Sequence, residues 1–311
     1  MRIALIGQAA FGEAVFNALQ EKGYEIAGVC APATAGTAKP DPLRAVAEAA
    51  GLPVLPTRRL RRDEAVRQQY LDLNADLNVM AFVTDIIPDS VLEAPALGTI
   101  QYHPSLLPLH RGASAIAWAI IQGDGTTGLS VFWPDAGLDT GPILLQREVP
   151  IAPDDTVTTL YFQRLFPMGV EAMVESVEYV QRGDAPRTAQ EHERATYEPI
   201  LRDEHTWLDW SRDTSRLYAL IRGANPSPGA NTLLRDQQLK VFDTARADGA
   251  GTPGDVLGVS DAGVVVATGD GALLIKRVQE QGGPKVAASA WASTAGVQAG
   301  DRFESREATG P

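Results

Sequence analysis

Short apolar runs alternate with helical patterns in the first half of the chain. The runs of strand length are Arg2–Ile6, Glu25–Val29, Leu77–Phe82, Thr99–Tyr102, Leu129–Phe132 and Ile143–Val149. Between them, apolar residues recur at helical spacing, as from Phe11 to Leu19 and from Ala113 to Ile121. This alternation predicts an α/β fold with a mainly parallel, Rossmann-like sheet, in which the strand ends and any site share one edge.

A different pattern begins near residue 204. Short strand-like runs are separated there by Gly and Asp, namely Leu239–Phe242, Asp255–Val259, Val264–Thr268 and Ala272–Ile275. They predict a small β-barrel. A helical pattern that begins at Asp154-Asp155-Thr156 extends to about Gly183, with a kink or a break expected at Pro167, and residues 184–203 form a surface connector. The predicted domains are therefore residues 1–203 (α/β), residues 204–303 (barrel) and a flexible polar tail, residues 304–311.

Composition bounds the class of protein. A chain of 311 residues with 44% hydrophobic and 21% charged residues is typical of a globular protein with two domains. No apolar run reaches the ~18 residues of a membrane span, and Met1–Ile6 reads as a strand rather than a secretory leader. The single cysteine, Cys30, follows an apolar run and is expected to be a buried structural thiol in a reducing, cytoplasmic compartment.

Charge disfavours a nucleic-acid partner. Asp and Glu outnumber Lys and Arg by 39 to 27, which gives a net charge of −12, whereas phosphate binding needs a basic face. The arginines at positions 58, 59, 61 and 62 are interpreted as a solvated loop and helix start. The four histidines have no metal-ligand spacing with Cys30, so no metal is predicted.

The loop after the first strand resembles a dinucleotide fingerprint only in part. Gly7-Gln8-Ala9-Ala10-Phe11-Gly12 has Ala9 in place of the middle glycine, and its Cβ would crowd a pyrophosphate. No acidic residue follows the second strand, where the chain reads Cys30-Ala31-Pro32-Ala33. NAD binding is therefore not predicted, and the glycines are expected to serve a tight turn and close helix packing.

An imidazole and a carboxylate stand in two turn-rich loops. His103 ends a strand-like run and is followed by Pro104, which stops the strand. Asp139 lies 36 positions further along, next to Thr140-Gly141. Such a pair can move a proton during acyl transfer. Spacing alone favours plainer interpretations, a hydrogen-bonded structural histidine and an aspartate that caps its own turn.

Several motifs together carry a family resemblance. They are His103-Pro104-Ser105-Leu106-Leu107-Pro108 with Arg111-Gly112, Gly137-Leu138-Asp139-Thr140-Gly141, Leu208-Asp209-Trp210-Ser211 with Ile221-Arg222, and Asn225-Pro226-Ser227-Pro228-Gly229-Ala230. The chain resembles, over nearly its whole length, the formyltransferases that use 10-formyltetrahydrofolate, a family that includes methionyl-tRNA formyltransferase and sugar-amine N-formyltransferases. The resemblance is strongest to the N-terminal hydrolase domain of 10-formyltetrahydrofolate dehydrogenase. It implies the formyltransferase fold with an OB-like C-terminal barrel.

The resemblance implies roles for the two loop residues. His103 matches the catalytic histidine and Asp139 the catalytic aspartate. Attack by an amine or by water on the formyl group gives a tetrahedral oxyanion that needs hydrogen-bond donors. His103 would donate to this oxyanion, and Asp139 would polarise His103 and relay protons. Asp135 lies outside the motif and is interpreted as a turn residue.

Gln101 departs from the family pattern, which usually has asparagine two positions before the histidine. In the dehydrogenase's hydrolase domain the matching residue is apolar, and the product there is formate. Gln101 keeps the carboxamide on a longer side chain, so it is assigned to the catalytic site as an oxyanion donor. The alternative is a polar residue on one face of a strand end. The departure leaves transfer and hydrolysis both open.

The resemblance also implies a slot for the pteridine of the folate beside the run Leu77–Phe82. The loop that would bind it, largely through backbone groups, comprises Ala81, Phe82, Val83, Thr84, Asp85, Ile86 and Ile87, of which Phe82, Ile86 and Ile87 could equally be core residues. The same folate site is assigned Leu106, Leu138 and Arg111, with Leu107 beside Leu106. Arg111 could position its loop or meet an anionic group of the donor, or it could be a surface arginine near a helix start.

The function expected from the resemblance is formyl transfer from 10-formyltetrahydrofolate to a small amine, such as a hydroxyornithine or an amino sugar. The alternative is a hydrolase that releases formate and tetrahydrofolate. A tRNA substrate is disfavoured because segment 31–44 is short and holds only Lys39 and Arg44 as basic residues. A catalytically inert folate-binding protein is the remaining alternative. The acceptor, the oligomeric state and the role of the barrel stay open.

Overall fold

The structure is a computed structural model that describes residues 1–306. Its strands in chain order are β1 Arg2–Gly7, β2 Glu25–Ala31, β3 Val54–Pro56, β4 Leu77–Ala81, β5 Thr99–His103, β6 Arg111–Gly112, β7 Thr126–Phe132, β8 Ile143–Pro150, β9 Tyr197–Glu198, β10 Ala230–Leu234, β11 Gln237–Ala247, β12 Val256–Ser260, β13 Gly263–Ala267, β14 Ala272–Glu280, β15 Lys285–Ala287 and β16 Phe303–Glu304.

Helices lie between most of these strands. They are α1 Ala9–Glu21, α2 Pro42–Ala49, α3 Thr57–Leu60, α4 Glu64–Leu71, α5 Asp89–Leu92, α6 Ala115–Gln122, α7 Val157–Leu160, α8 Phe166–Arg182, α9 Thr214–Gly223 and α10 Ala288–Ala295, with a π-helical turn at Tyr161–Leu165 and 3₁₀ turns at His192–Arg194 and Asp203–His205.

Two compact units interleave along the chain. The first comprises Met1–Arg111, Gly128–Val149 and Gln163–Thr196. The second comprises Gly112–Thr127, Pro150–Phe162 and the chain from Tyr197 onwards. Each unit has its own hydrophobic core.

The first unit contains a seven-stranded sheet in the order β3-β2-β1-β4-β5-β7-β8. The five strands β3, β2, β1, β4 and β5 pair in parallel with one another, whereas β7 pairs antiparallel with β5. Because successive side chains of a strand point to opposite faces, Ile3 and Leu5 join one core with α1 and α8, and Ala4 and Ile6 join another with α3 and α4. The predicted α/β fold with a mainly parallel sheet is confirmed.

The helical pattern from residue 154 divides into two helices, as expected near Pro167. Helix α7 ends at Leu160, a π-helical turn follows, and α8 begins at Phe166. Pro167 thus lies in the first turn of α8, directly after the π-helical turn. The sequence indicated the interruption but not the π-helical turn.

The second unit contains the C-terminal barrel. Its antiparallel strands follow the order β12-β13-β14-β11-β10-β16, and β15 pairs with β14. An antiparallel bridge between Asp255 and Arg302 joins the two ends of this order, so the sheet curls and closes on itself. Trp210, Val241 and Ile275 are among the residues that fill its interior. The predicted barrel is confirmed, although β10, β15, β16 and α10 have no counterpart in the sequence-based prediction.

Two expectations concern the end of the chain and membranes. Glu304, the first residue of the predicted tail, pairs with Leu233 in the barrel, whereas residues 307–311 of that tail lie outside the described residues.

Within residues 1–306, no helix combines the length and apolar character that crossing a bilayer requires.

Candidate active site

His103 is the last residue of β5 and is held by the loop that follows it. Its Nε2 lies 2.8 Å from the carbonyl oxygen of His110. A carbonyl only accepts hydrogen bonds, so Nε2 carries a proton in this contact. The other ring nitrogen, Nδ1, is therefore the one that can exchange a proton with a reacting group.

Nδ1 of His103 faces Asp139. It lies 3.7 Å from Oδ2 of Asp139, and the two side chains are 7% and 8% exposed. The predicted proximity of these residues is thus confirmed, at a separation just beyond hydrogen-bond length. With Nε2 bonded to a carbonyl, Nδ1 and Oδ2 oppose each other as two acceptors unless one of them carries a proton. The geometry therefore places an imidazole nitrogen and a carboxylate oxygen where both can reach the same reacting group.

The path of the chain to Asp139 differs from the prediction. Both residues were expected at the carboxyl edge of the sheet because each follows a strand. Strand β7 runs antiparallel to β5, so its last residue, Phe132, pairs with Gln101 instead of lying beyond His103. The loop after β7 must therefore fold back along the sheet to bring Asp139 to His103.

This returning loop is closed by its own side chains. The carboxylate of Asp135 accepts hydrogen bonds from the backbone N–H of Gly137, at 3.0 Å, and from the hydroxyl of Thr140. A Cβ on Gly141 would lie 1.8 Å from the carbonyl oxygen of Trp133, so only glycine fits there. The interpretation of Asp135 as a turn residue is confirmed.

Left-handed backbone conformations recur in the loops around this pair. His110 and Asp139 have φ angles of +54° and +55°, and Phe82, in the predicted pteridine loop, has +58°. Non-glycine residues adopt this region only at a cost that surrounding structure must offset, and such strain clusters at functional sites. The three positions therefore strengthen these loops as a candidate site.

Gln101 lies two residues before His103 on β5, so both side chains point to the same face of the sheet. Gln101 is half-buried. Within residues 1–306, no hydrogen bond engages its carboxamide, which leaves both amide protons available to a ligand. This availability fits an oxyanion donor better than a packed strand residue.

The predicted pteridine loop leaves the buried end of β4 at Ala81. Phe82 and Ile86 are exposed, at 43% and 70%, whereas Ile87 is 6% exposed and belongs to a hydrophobic core. Of the three residues with two possible interpretations, Ile87 is thus a core residue. Exposed apolar side chains on a loop beside a polar pair suit contact with a flat heterocycle.

The remaining residues of this loop are tied to neighbouring segments. Asp85 accepts a hydrogen bond from Thr57 at 2.6 Å and lies 3.3 Å from the guanidinium of Arg58. The hydroxyl of Thr84 lies 3.4 Å from the side-chain oxygen of Gln8, and Val83 is half-buried. Their side chains therefore fix the loop, which leaves its backbone groups as the means of recognition that the resemblance implies.

Three leucines were assigned to or beside the same slot, and the structure separates them. Leu138, next to Asp139, is 62% exposed. Leu106 lies over Gly128, where an added Cβ would meet its side chain at 2.6 Å. Leu107 is buried in a cluster with Phe132 and Ile143 and lines one surface cavity together with Leu106, so its place beside Leu106 in the folate slot stays a prediction.

Arg111 is buried rather than on the surface. It is 1% exposed, and its guanidinium donates to Oε1 of Gln190 at 2.6 Å and to Nδ1 of His192 at 2.9 Å. The alternative of a surface arginine is therefore wrong, and the contacts fit the alternative in which Arg111 positions a loop. Sequence reasoning missed Gln190, because residues 184–203 read as a polar connector and a glutamine there gives no signal of burial.

In the glycine-rich loop after β1, a carboxylate accepts the backbone N–H that a phosphate would bind at the start of α1. The backbone N–H of Ala9, at the start of α1, donates to the carboxylate of Asp41 at 2.8 Å. A phosphate at this helix end would have to displace that carboxylate. That NAD is not a ligand stays a prediction. Among residues 1–306, no group of three or more His, Cys, Asp and Glu side chains is placed to hold a metal ion.

Comparison with known proteins places this site in a family. A sequence model of the family described as "Formyl transferase" matches residues 1–177, and one described as "Formyl transferase, C-terminal domain" matches residues 200–296. The human cytosolic 10-formyltetrahydrofolate dehydrogenase is 43% identical over 305 residues, which cover 93% of this chain and 34% of that protein. The chain thus spans about a third of the dehydrogenases that it matches.

A relative that is covered over nearly its whole length also matches. The methionyl-tRNA formyltransferase of Symbiobacterium thermophilum is 39% identical over 317 residues, which cover 99% of this chain and 97% of that protein. Among solved structures, HypX from Aquifex aeolicus in complex with tetrahydrofolic acid is similar with a TM-score of 0.68 and 22% identity, over 94% of this chain and 47% of that one. At that identity the likeness supports the fold alone.

Proposed function

The chain belongs to the formyl transferase family, and from this premise we propose that it transfers the formyl group of 10-formyltetrahydrofolate to an amine of a small molecule. The observation that carries the proposal is the buried pair in which Nδ1 of His103 faces Oδ2 of Asp139 at 3.7 Å. Acyl transfer between nitrogens needs one group to accept a proton and one to donate to the oxyanion. This pair supplies both functions.

The reaction exchanges one carbon–nitrogen bond for another. The acceptor amine attacks the formyl carbon, the bond from that carbon to N10 of the donor then breaks, and the electron pair remains on N10. The acceptor nitrogen loses one proton and N10 gains one. The protonated imidazole donates to the oxyanion from Nδ1, because Nε2 stays bonded to the carbonyl of His110. Asp139 accepts the proton that the acceptor nitrogen loses and passes it on to N10.

Gln101 supports transfer to an amine. Its carboxamide lies on the face of β5 that carries His103, and no hydrogen bond within the described residues occupies it. It is proposed as the second donor to the oxyanion. A carboxamide at this position is closer to the asparagine of the transferases than to the apolar residue of the hydrolase domain.

The donor site is proposed at the loop from Ala81 to Ile87. Exposed Phe82 and Ile86, together with Leu138 beside Asp139, would contact the flat pteridine and the ring that follows it. The side chains of Thr84 and Asp85 are engaged with Gln8 and Thr57, so recognition would come from backbone groups. The residues present thus fit a folate.

Hydrolysis of 10-formyltetrahydrofolate is the second candidate, with water in place of the amine. The 43% identity to the human dehydrogenase over 93% of the chain favours it. A third candidate, formylation of methionyl-tRNA, is favoured by the relative from Symbiobacterium thermophilum, which matches over the full length. The net charge of −12 argues against a tRNA substrate.

One experiment with three arms separates these candidates. The protein is incubated with 10-formyltetrahydrofolate alone, with a panel of small amines that includes hydroxyornithine and amino sugars, and with methionyl-tRNA. Turnover that requires a small amine supports the proposal, whereas formate release without any acceptor identifies a hydrolase. Formylation of methionyl-tRNA alone assigns the third candidate. Binding of the donor without turnover in any arm contradicts an enzymatic function.

A further inference from the structure

The segment from Gln190 to Thr196 contacts both loops that carry the candidate catalytic pair. We call it the clasp segment. It belongs to the connector that the sequence assigned to the surface, yet Gln190 is only 7% exposed. The contacts of its two ends suggest a role that sequence motifs do not indicate.

Gln190, at the start of the clasp segment, is bonded to the loop of Asp139. Its amide donates to the backbone carbonyl of Asp139 at 2.9 Å and to that of Gly141 at 2.7 Å. Its side-chain oxygen accepts from Nε of Arg111 at 3.1 Å and from a terminal guanidinium nitrogen of the same residue at 2.6 Å. Gln190 thus uses both amide protons and its oxygen in one buried network.

These bonds act where the loop is strained. Asp139 has a left-handed φ of +55°, and the two carbonyls held by Gln190 belong to Asp139 itself and to the second residue after it. A non-glycine residue keeps this conformation only when neighbouring contacts enforce it. The direction of the Asp139 side chain towards His103 follows from this enforced backbone.

Thr196, at the other end of the clasp segment, is bonded to the loop of His103. Its hydroxyl accepts from the backbone N–H of His110 at 2.8 Å, and its carbonyl accepts from the N–H of Arg111 at 3.0 Å. The carbonyl of His110 in turn accepts from Nε2 of His103 at 2.8 Å. The clasp segment therefore bonds directly to Asp139 and reaches His103 through His110.

We propose that Gln190 and Thr196 are positioning residues that set the separation between His103 and Asp139. Arg111 donates to the side-chain oxygen of Gln190 and so orients its amide towards the carbonyls of Asp139 and Gly141. The expected effect on kcat rests on the proposed function, whereas the hold of Gln190 on the Asp139 loop does not. Neither residue touches the reacting atoms, so their effect on the rate arises from placement.

Gln190 allows a sharp substitution series. Gln190→Ala removes all four hydrogen bonds. Gln190→Glu keeps an oxygen for Arg111 but sets a second oxygen against the carbonyls of Asp139 and Gly141, so only the hold on the loop is lost. Both variants should lower kcat by about 10²-fold, since a misplacement of about 1 Å costs that much. KM for the formyl donor should change less than kcat, because the loop from Ala81 to Ile87 is untouched and Leu138 is the one proposed donor contact in the released loop.

Thr196 allows a second, independent set of two substitutions. Thr196→Val keeps the shape but cannot accept from His110, whereas Thr196→Ser keeps the accepting hydroxyl. We expect kcat to fall about tenfold in the first variant, as for the loss of one hydrogen bond, and to stay near that of the wild type in the second. Glu191→Gln is the matched control, because Glu191 lies in the same segment and is 70% exposed, and its carboxylate forms an ion pair with exposed Arg194.

Hydrogen exchange of the backbone amides of residues 137–141 gives a readout that needs no turnover. Faster exchange in Gln190→Ala and Gln190→Glu than in Glu191→Gln, together with the fall in kcat, supports the inference. Unchanged exchange, or faster exchange with wild-type kcat, overturns it. If Gln190→Ala does not fold, Gln190→Glu and the Thr196 pair decide the matter. An inactive wild type contradicts the proposed function alone, because the exchange measurement still tests whether Gln190 holds the loop.

Discussion

Replacing Asp139 with asparagine removes one charge and almost no volume. The side chain lies 3.7 Å from Nδ1 of His103, and both side chains are more than nine-tenths buried. The substitution leaves the backbone carbonyl of Asp139, and hence its bond from Gln190, in place. Any effect on the rate therefore reports on the charge and on the ability to accept a proton.

The separation sets the size of the effect. Two unit charges about 4 Å apart attract by about 4 kcal/mol at an effective dielectric constant of about 20. If the imidazole is protonated when the oxyanion forms, Asp139→Asn loses this stabilisation in the transition state. At about 1.4 kcal/mol for each factor of ten, kcat should fall about 10³-fold. KM for the formyl donor should change less than threefold.

The assay measures kcat and KM with saturating acceptor and checks the fold by circular dichroism. Asp135→Asn is the matched control, because Asp135 lies in the same loop and an amide oxygen can still accept from Gly137 and Thr140. The combined variant of Asp139→Asn with His103→Ala should lose far less than the product of the single losses, since the two residues act as one unit. A folded Asp139→Asn within threefold of the wild-type rate refutes the reasoning, and so does an equal loss in Asp135→Asn.

Three further outcomes are expected elsewhere in the molecule. Gln101→Leu should lose about 2.7–4 kcal/mol of transition-state stabilisation, which would appear as a lower kcat. The kcat of Gln101→Asn should lie between that of Gln101→Leu and that of the wild type. An unchanged kcat for Gln101→Leu removes Gln101 from the site. Burial raises the pKa of Cys30 to about 12, so the thiol of the native protein should resist alkylation at pH 9. The free energy of unfolding should fall between about pH 9 and pH 12, because the Cys30 thiol ionises there in the unfolded chain but not in the native protein. Urea titrations that give a constant free energy of unfolding over this range contradict the burial argument. Gly169→Ala should destabilise the protein by about 1–3 kcal/mol in the same urea titration. The new Cβ would lie 2.8 Å from the ring of Tyr102 and 2.9 Å from the ring of Phe11. A Gly169→Ala variant as stable as the wild type would show that these rings can move.

The sequence predicts those parts of the fold that depend on local periodicity. Strands such as Thr99–His103 and Ile143–Pro150 were expected to within a residue or two at each end, because their apolar runs are long and end at turns. Strands such as Val54–Pro56 and Lys285–Ala287 are too short for any period to show. Their pairing partners lie far away in the chain, and a local pattern contains no information on them.

The candidate site follows the same division. His103 and Asp139 could be found because their motifs are local, and their proximity was expected from the resemblance. The antiparallel direction of the strand before Asp139, and hence the returning loop, could not be deduced from spacing. Gln190 could not be found either, because its burial depends on a guanidinium 79 residues earlier in the chain.

The contacts of the clasp segment have a consequence for the order in which the protein matures. Gln190 bonds to a loop 51 residues before it, and Thr196 to one 86 residues before it. During synthesis, every strand of the parallel sheet leaves the ribosome before either residue does. The nascent chain can therefore build its scaffold early, but the histidine and the aspartate are locked together only when residue 196 has emerged. A nascent chain that ends before Thr196 therefore has every strand of the sheet but lacks the hydrogen bonds from Gln190 and Thr196 to the loops of Asp139 and His103.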